Sequence, residues 1–154
     1  MELSRTTAGR LTMAGGLLAV GGGAGHTMIS AAMRRNVWDQ IVADGVVGAI
    51  SLEPTPDQLA AAEAFWFSPG SFGVPLTLLG SLVVWSTRQG HRVPGSVGWG
   101  LAAWAAIIGV LGRFDAGSGL LLLTGALIGV GGRRPGRSAP TDAVAAHAGV
   151  HLAR

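Results

Sequence analysis

The feature that most constrains this chain is where its charges are absent. Four stretches, 11–33, 64–85, 93–112 and 116–132, hold none of its 11 basic and 8 acidic residues. A hydrocarbon core about 30 Å thick takes roughly 20 helical residues to cross. The first three stretches are therefore long enough to span, and the fourth must stand upright or thin the bilayer around it. The reading that follows is an all-α fold, a four-transmembrane-helix antiparallel bundle occupying residues 1–134. Residues 135–154, rich in Ala, Gly, Ser and Pro, form a disordered C-terminal tail in this reading, with His147 and His151 belonging to that tail and not to a metal site.

Composition agrees. Only 12% of the residues are charged and 49% are hydrophobic, whereas a soluble domain carries about 25% charge. The sequence pI near 11.3 does not describe a basic surface. Every basic residue is arginine and no tyrosine or cysteine is present, so a small excess of arginine moves the pI far upward. No nucleic-acid partner is inferred from it. With no cysteine, disulfide frameworks, thiolate metal sites and cysteine nucleophiles are excluded.

Arginines near the span ends set the orientation. Threading four times from an inner N-terminus places Arg5, Arg10, Arg88, Arg92, Arg133, Arg134 and Arg137 inside, against Arg34, Arg35 and Arg113 outside. That bias predicts a multi-pass protein of the plasma (cytoplasmic) membrane with both termini cytoplasmic. Arg5 and Arg10 before an apolar run also suit a cleaved signal peptide. The run exceeds the usual 7–15 residues and is glycine-rich where a signal core favours leucine, so a retained helix is preferred.

The connections are uneven. Residues 86–92 and Arg113-Phe114-Asp115 are tight turns, predicting that the helices they join are antiparallel neighbours. Gly90 suits a left-handed helix cap and Pro94 a helix start. The outer segment 34–63 is too long to be only a connector. Asn36 can cap a short interfacial helix with Trp38, Ile41, Val42 and Gly45 on one side and Asp39, Gln40 and Asp44 on another. Thr55-Pro56-Asp57-Gln58 reads as a capping box, starting the second spanning helix near Pro56.

Lipid is as apolar as leucine, so helix association must come from close approach. Gly98, Ala102, Ala105, Gly109 and Gly112 form one small-residue stripe. Gly15, Ala19 and Gly23, the pair Gly21 and Gly25, and the pair Gly125 and Gly129 form others. None lies in a nucleotide-binding fingerprint. Trp38, Trp66 and Trp85 fall at the interfaces where tryptophan concentrates.

Few side chains could carry chemistry. His26 is the one ionisable group inside a span, and Ser30 follows one turn later on the same face. Glu63 and Trp66 stand at the mouth of the second span, where Pro69 and Pro75 free backbone carbonyls. Arg113 and Asp115 sit at the same level and can pair with Glu63 and with Arg34 or Arg35. The ligand-pocket candidates are therefore His26, Ser30, Glu63, Trp66, Arg113 and Asp115, roofed by the outer segment. No metal-ligand spacing, resident cofactor or catalytic triad can be assembled.

The glycine-rich first helix ending in His26 carries a resemblance, together with the Ala64-Phe65-Trp66-Phe67 entrance, the stretch from Gly80 to Trp85, and Arg92-Val93-Pro94 leading to Gly98-Trp99. Over residues 8–133 the chain resembles an uncharacterised family of small bacterial four-helix integral membrane proteins. The resemblance implies the four-span layout and a long first outer loop, and supplies no reaction. Pro69 and Pro75 depart from that family's smoother second helix.

Three functional classes follow. The preferred one is a non-enzymatic module working by interaction or by holding a small apolar ligand, with the lipid bilayer, a second copy or another membrane protein as partner. The second is a membrane-embedded enzyme acting on a lipid-soluble substrate with Glu63 or Asp115 as acid. The third is a small proton-coupled exporter, which would need a carboxylate within the first helix where this chain has only His26.

Overall fold

The computed structural model describes residues 2–133; the expected tail lies outside them. Among the described residues there are six helices and no strand. They are α1 (Glu2–Met33), α2 (Arg35–Asp44), α3 (Leu59–Phe67), α4 (Gly73–Arg88), α5 (Gly95–Gly112) and α6 (Ala116–Gly131). The all-α class is as expected, but the helices do not coincide with the four uncharged stretches. α1 reaches back to Glu2, well before the stretch begins.

The second stretch, expected as one helix, is two. Pro69 has no N–H and its ring clashes with a carbonyl four residues back, which disrupts the helix, and α3 ends at Phe67. The Phe65 carbonyl instead accepts from the N–H of Ser68 at 3.0 Å and of Gly70 at 2.9 Å. Ser68, fully buried, donates through Oγ to the Ala64 carbonyl at 2.7 Å, and Ser71 Oγ donates to the Ser68 carbonyl at 2.6 Å. Gly70 is needed because a Cβ there would lie 2.6 Å from the Phe65 ring. The turn thus satisfies the polar groups that the break exposes, and α4 restarts at Gly73.

The start of α3 also differs. Gln58 Oε1 accepts from the Thr55 N–H at 3.2 Å, the returning arm of a capping box, but Thr55 Oγ1 turns to Asp57 Oδ1 at 2.7 Å. Without the forward arm, residues 55–58 form a single turn and the α-helix begins at Leu59. In α2 the helix starts before Asn36, which caps nothing. Ile41 is buried and Trp38 half-buried, while Val42 and Gly45, expected beside them, are exposed.

α1 is flanked by α4 and α6, and α5 lies on the far side of α6. Close approach is built from glycine, with each pair of helices antiparallel. A Cβ at Gly80 would lie 2.7 Å from the Gly16 carbonyl, and Gly23 meets Gly73 one heptad further along. On the other side Gly98 abuts Gly129, and a Cβ at Gly125 would lie 2.6 Å from the Ala102 nitrogen. Consecutive glycines divide the work: Gly15 faces Ile128 and Thr124 of α6, and Gly16 faces Val83 and Val84 of α4. Gly21 and Gly25, expected as a second contact stripe, meet nothing within 4 Å, and Gly112 is likewise open.

One expectation about neighbours is corrected. α4 and α5, joined by a tight turn, make no close backbone approach to each other. Their glycines are committed to α1 and α6, and what remains between them is bulkier. Leu76 and Ala105 meet over Ala19 and Leu121, with Phe72, Leu101 and Leu122 packed around them. Val83, Val93 and Ile128 close the other end. The turn itself is as expected: Gly90 has φ +74°, its N–H reaches the Thr87 carbonyl at 3.1 Å and the His91 N–H reaches Ser86 at 2.9 Å, a Schellman closure.

Candidate functional site

The six candidate residues fall into three local arrangements at the end of the molecule where α1 stops and α6 starts. At the junction of α1 and α2, Arg34 places its guanidinium 3.8 Å from Glu63 of α3 and 4.8 Å above the Phe67 ring. Glu63 was expected to pair with Arg113, and Arg34 or Arg35 with Asp115; Arg34 takes Glu63 instead, and both side chains remain partly solvated. Trp66, 49% exposed, sets its ring edge to face against Phe65 at 5.1 Å.

His26 is half-buried near the last turns of α1. Its imidazole stacks on Phe72 at 4.6 Å with the planes inclined 26°, and Phe72 meets Trp104 of α5 edge to face at 6.0 Å. Position and packing are linked. Gly73, where a Cβ would touch Thr27 and the histidine ring, lets the start of α4 lie directly against α1. Phe72 was not singled out from the sequence, because nothing in its spacing reveals that the Ser68 turn brings it beneath His26. Ser30 follows one turn later, partly exposed.

At the third arrangement, Asp115 is the N-cap of α6. Its carboxylate accepts from the Ser118 N–H at 2.8 Å and from Ser118 Oγ at 2.9 Å. The backbone hydrogen bond from Ser118, followed by that from its hydroxyl, holds the Asp115 carboxyl below its ordinary value. The expected pairing with an outer arginine is therefore replaced by a cap. Asp followed three positions later by Ser, just before an apolar run, was the available signal. Arg113 ends α5 in the left-handed region with φ 62°, followed by Phe114 at φ 45°. The Phe114 ring lies over Gly109, where a Cβ would come within 2.5 Å of it.

Among the described residues no group of three or more histidines, cysteines or acids is arranged to hold a metal ion. Arg34, Phe67 and Glu63 make a charged, aromatic rim; His26, Phe72 and Trp104 a row of rings that is half-buried at His26 and Phe72 and exposed at Trp104; Asp115 and Ser118 a helix start.

The chain is a member of a protein family. A family model described as a family of unknown function, DUF6463, matches residues 10–135, most of the chain, so the protein belongs to DUF6463. No curated protein and no solved structure matches it.

Proposed function

We propose that this member of DUF6463 is an integral membrane protein whose long helices cross the plasma membrane with both termini cytoplasmic. It acts without chemistry, by contact with lipid, a small apolar ligand or another membrane protein. The observation that carries this reading is an inverted distribution of side chains. The buried positions of the long helices are largely Gly, Ala, Ser and Thr, including Ala19, Ala105, Thr124 and Ser118. The large apolar residues point outward: Leu111 is 81% exposed, Val110 and Met28 71%, Leu78 66%. In water such a surface is an aggregation liability, whereas in lipid it is the solvated face, and small residues inside are what close helix packing requires.

Among the described residues α5 is the helix long and apolar enough by itself to cross a bilayer; α6 is apolar but shorter, at 16 residues. α4 has 16 residues as well. At 1.5 Å per residue these two reach roughly 24 Å, which suits a locally thinned bilayer with charged ends held at the headgroups. α1 is long but diluted with glycine. The acids on which an enzymatic reading would rest are engaged, Glu63 with Arg34 and Asp115 with Ser118, which favours the non-enzymatic reading.

The cysteine-free chain allows a direct test. Val47→Cys and Gln89→Cys, introduced singly, are exposed to a membrane-impermeant thiol reagent on intact cells, whose membrane fraction is then isolated and washed at alkaline pH. Labelling of position 47 alone, in protein retained by the washed membranes, is expected. Labelling of position 89 from outside would overturn the orientation, and release of the protein in soluble, monodisperse form would overturn the membrane reading itself.

A further inference from the structure

At the end of the molecule opposite the candidate site, where α5 begins and α6 ends, lies a cleft of about 350 Å³ bounded by Arg92, Val93, Pro94, Gly95, Ser96 and Gly132. That volume is at the lower end of the range for small-molecule sites, about 300–1,000 Å³. Its two walls come close for a structural reason. A Cβ on Gly95 would lie 2.8 Å from the Gly129 carbonyl, and one on Gly132 would lie 2.6 Å from the Val93 carbonyl. The cleft therefore opens beside a backbone-to-backbone contact, with Arg92 in its lining.

Two arginines stand here without being neutralised, Arg92 in the lining of the cleft and Arg133 directly after the lining residue Gly132. Arg92 donates through Nη2 to the Arg133 carbonyl, which anchors one corner of its guanidinium and leaves its other N–H groups uncommitted. Arg133 lies 5.1 Å above the Trp99 ring, an arrangement that fixes a guanidinium by its face and leaves its N–H edge available. No carboxylate pairs with either among the described residues. The acids with described side chains, Asp39, Asp44, Glu53, Asp57, Glu63 and Asp115, belong to the other end, whereas Arg88 in the last turn of α4 belongs to this one. The first turn of α5 opens into the same cleft with Pro94 as its N-cap, which has no side chain to accept from the Gly95 and Ser96 N–H groups.

We propose that this cleft binds a phosphate group, supplied by an anionic lipid headgroup or by a soluble phosphate ester. A tetrahedral oxyanion is the ligand that unpaired guanidinium donors and free backbone N–H groups have in common. Basic pockets between helices at the cytoplasmic face are where anionic headgroups bind in membrane proteins. Only the lipid source rests on the membrane reading above.

The test uses full-length protein in zwitterionic detergent, titrated calorimetrically with inorganic phosphate. In parallel, protein in nanodiscs of mixed phosphatidylcholine and phosphatidylglycerol is analysed by native mass spectrometry for retained lipid. Arg92→Gln and Arg133→Gln should each weaken binding by about tenfold, the scale of one charge-assisted hydrogen bond. Ser96→Asp places a resident carboxylate in the first turn, which favours the helix while occupying the site. It should abolish binding with the melting temperature unchanged or raised, so loss of binding cannot be ascribed to unfolding. Saturable inorganic phosphate binding that Ser96→Asp removes supports a soluble ester. Selective retention of phosphatidylglycerol that it removes, without phosphate binding, supports a headgroup. Binding of neither, or binding that Ser96→Asp leaves intact, overturns the proposal. If the protein proves soluble without detergent, the phosphate titration is run in buffer, and the two readings fail separately.

Discussion

The imidazole of His26 lies stacked on the ring of Phe72 at 4.6 Å, and this contact ties the outer part of α1 to the residue from which α4 starts. Because Phe72 also meets Trp104, the three rings join α1, α4 and α5 where α4 and α5 themselves stay apart. Phe72→Ala should cost about 2–3 kcal/mol, somewhat below a fully buried truncation, and His26→Ala about 1 kcal/mol, with the double variant less than additive. His26→Phe should retain most of the stability. Thermal unfolding in detergent measures all four, and His26→Ala melting with the native protein would remove the stack from the account.

Close approach of α1 and α4 depends on Gly80, where a Cβ would lie 2.7 Å from both the Gly16 carbonyl and the Val20 nitrogen. Backbone on both sides cannot yield, so Gly80→Val should force the helices apart at a cost of about 3 kcal/mol or more. Gly21→Val on the open face of α1 meets nothing within 4 Å and should change stability by less than about 1 kcal/mol. Equal effects of the two substitutions would contradict the packing described.

Arg113 holds the left-handed conformation at φ 62°, a region that costs a residue with a Cβ about 1–2 kcal/mol. Arg113→Gly should therefore stabilise the protein by about 1 kcal/mol, read as a higher unfolding midpoint. A lower midpoint would mean that the arginine side chain makes a contact worth more than the relief of the backbone.

Asp115 has its carboxyl held below the ordinary aspartate value by the Ser118 hydrogen bonds. A lowered folded-state pKa means that the ionised cap stabilises fully above the unfolded value, and that this contribution is lost as pH falls through the lower folded one. Acidification from pH 5 to pH 2 should thus weaken α6, and Asp115→Asn, which caps without ionising, should flatten that part of the pH profile. An unchanged acid limb in Asp115→Asn would place the acid sensitivity elsewhere.

The helical class, the small-residue stripe from Gly98 to Gly109 and the left-handed cap at Gly90 were all legible before folding. Each depends on spacing within a helix or on a local turn, whereas the partner of Glu63, Arg34 in place of the expected Arg113, does not. The break at Ser68 was half legible. Pro69 announced a disturbance, but whether a proline kinks a helix or ends it depends on what satisfies the freed carbonyls, here Ser68, Gly70 and Ser71. The candidate residues were legible as individuals and not as a constellation. Asp115 could equally pair with a distant arginine or cap its own helix, and the cap prevails because Ser118 is three residues away and needs no chain ordering to arrive.

Taken alone, the sequence determined that the chain is helical, that its charges gather at the ends of apolar stretches and that glycine must mediate helix contact, because these follow from composition and local period. The tertiary structure decided which glycine faces which helix. It turned Gly15 to α6 and Gly16 to α4, left Gly21 and Gly25 open, and kept α4 and α5 apart although a short turn joins them. The physical reason is that a small-residue stripe states only that a backbone can come close. Which backbone does so depends on all four long helices at once, since each glycine face committed to one neighbour is withdrawn from another.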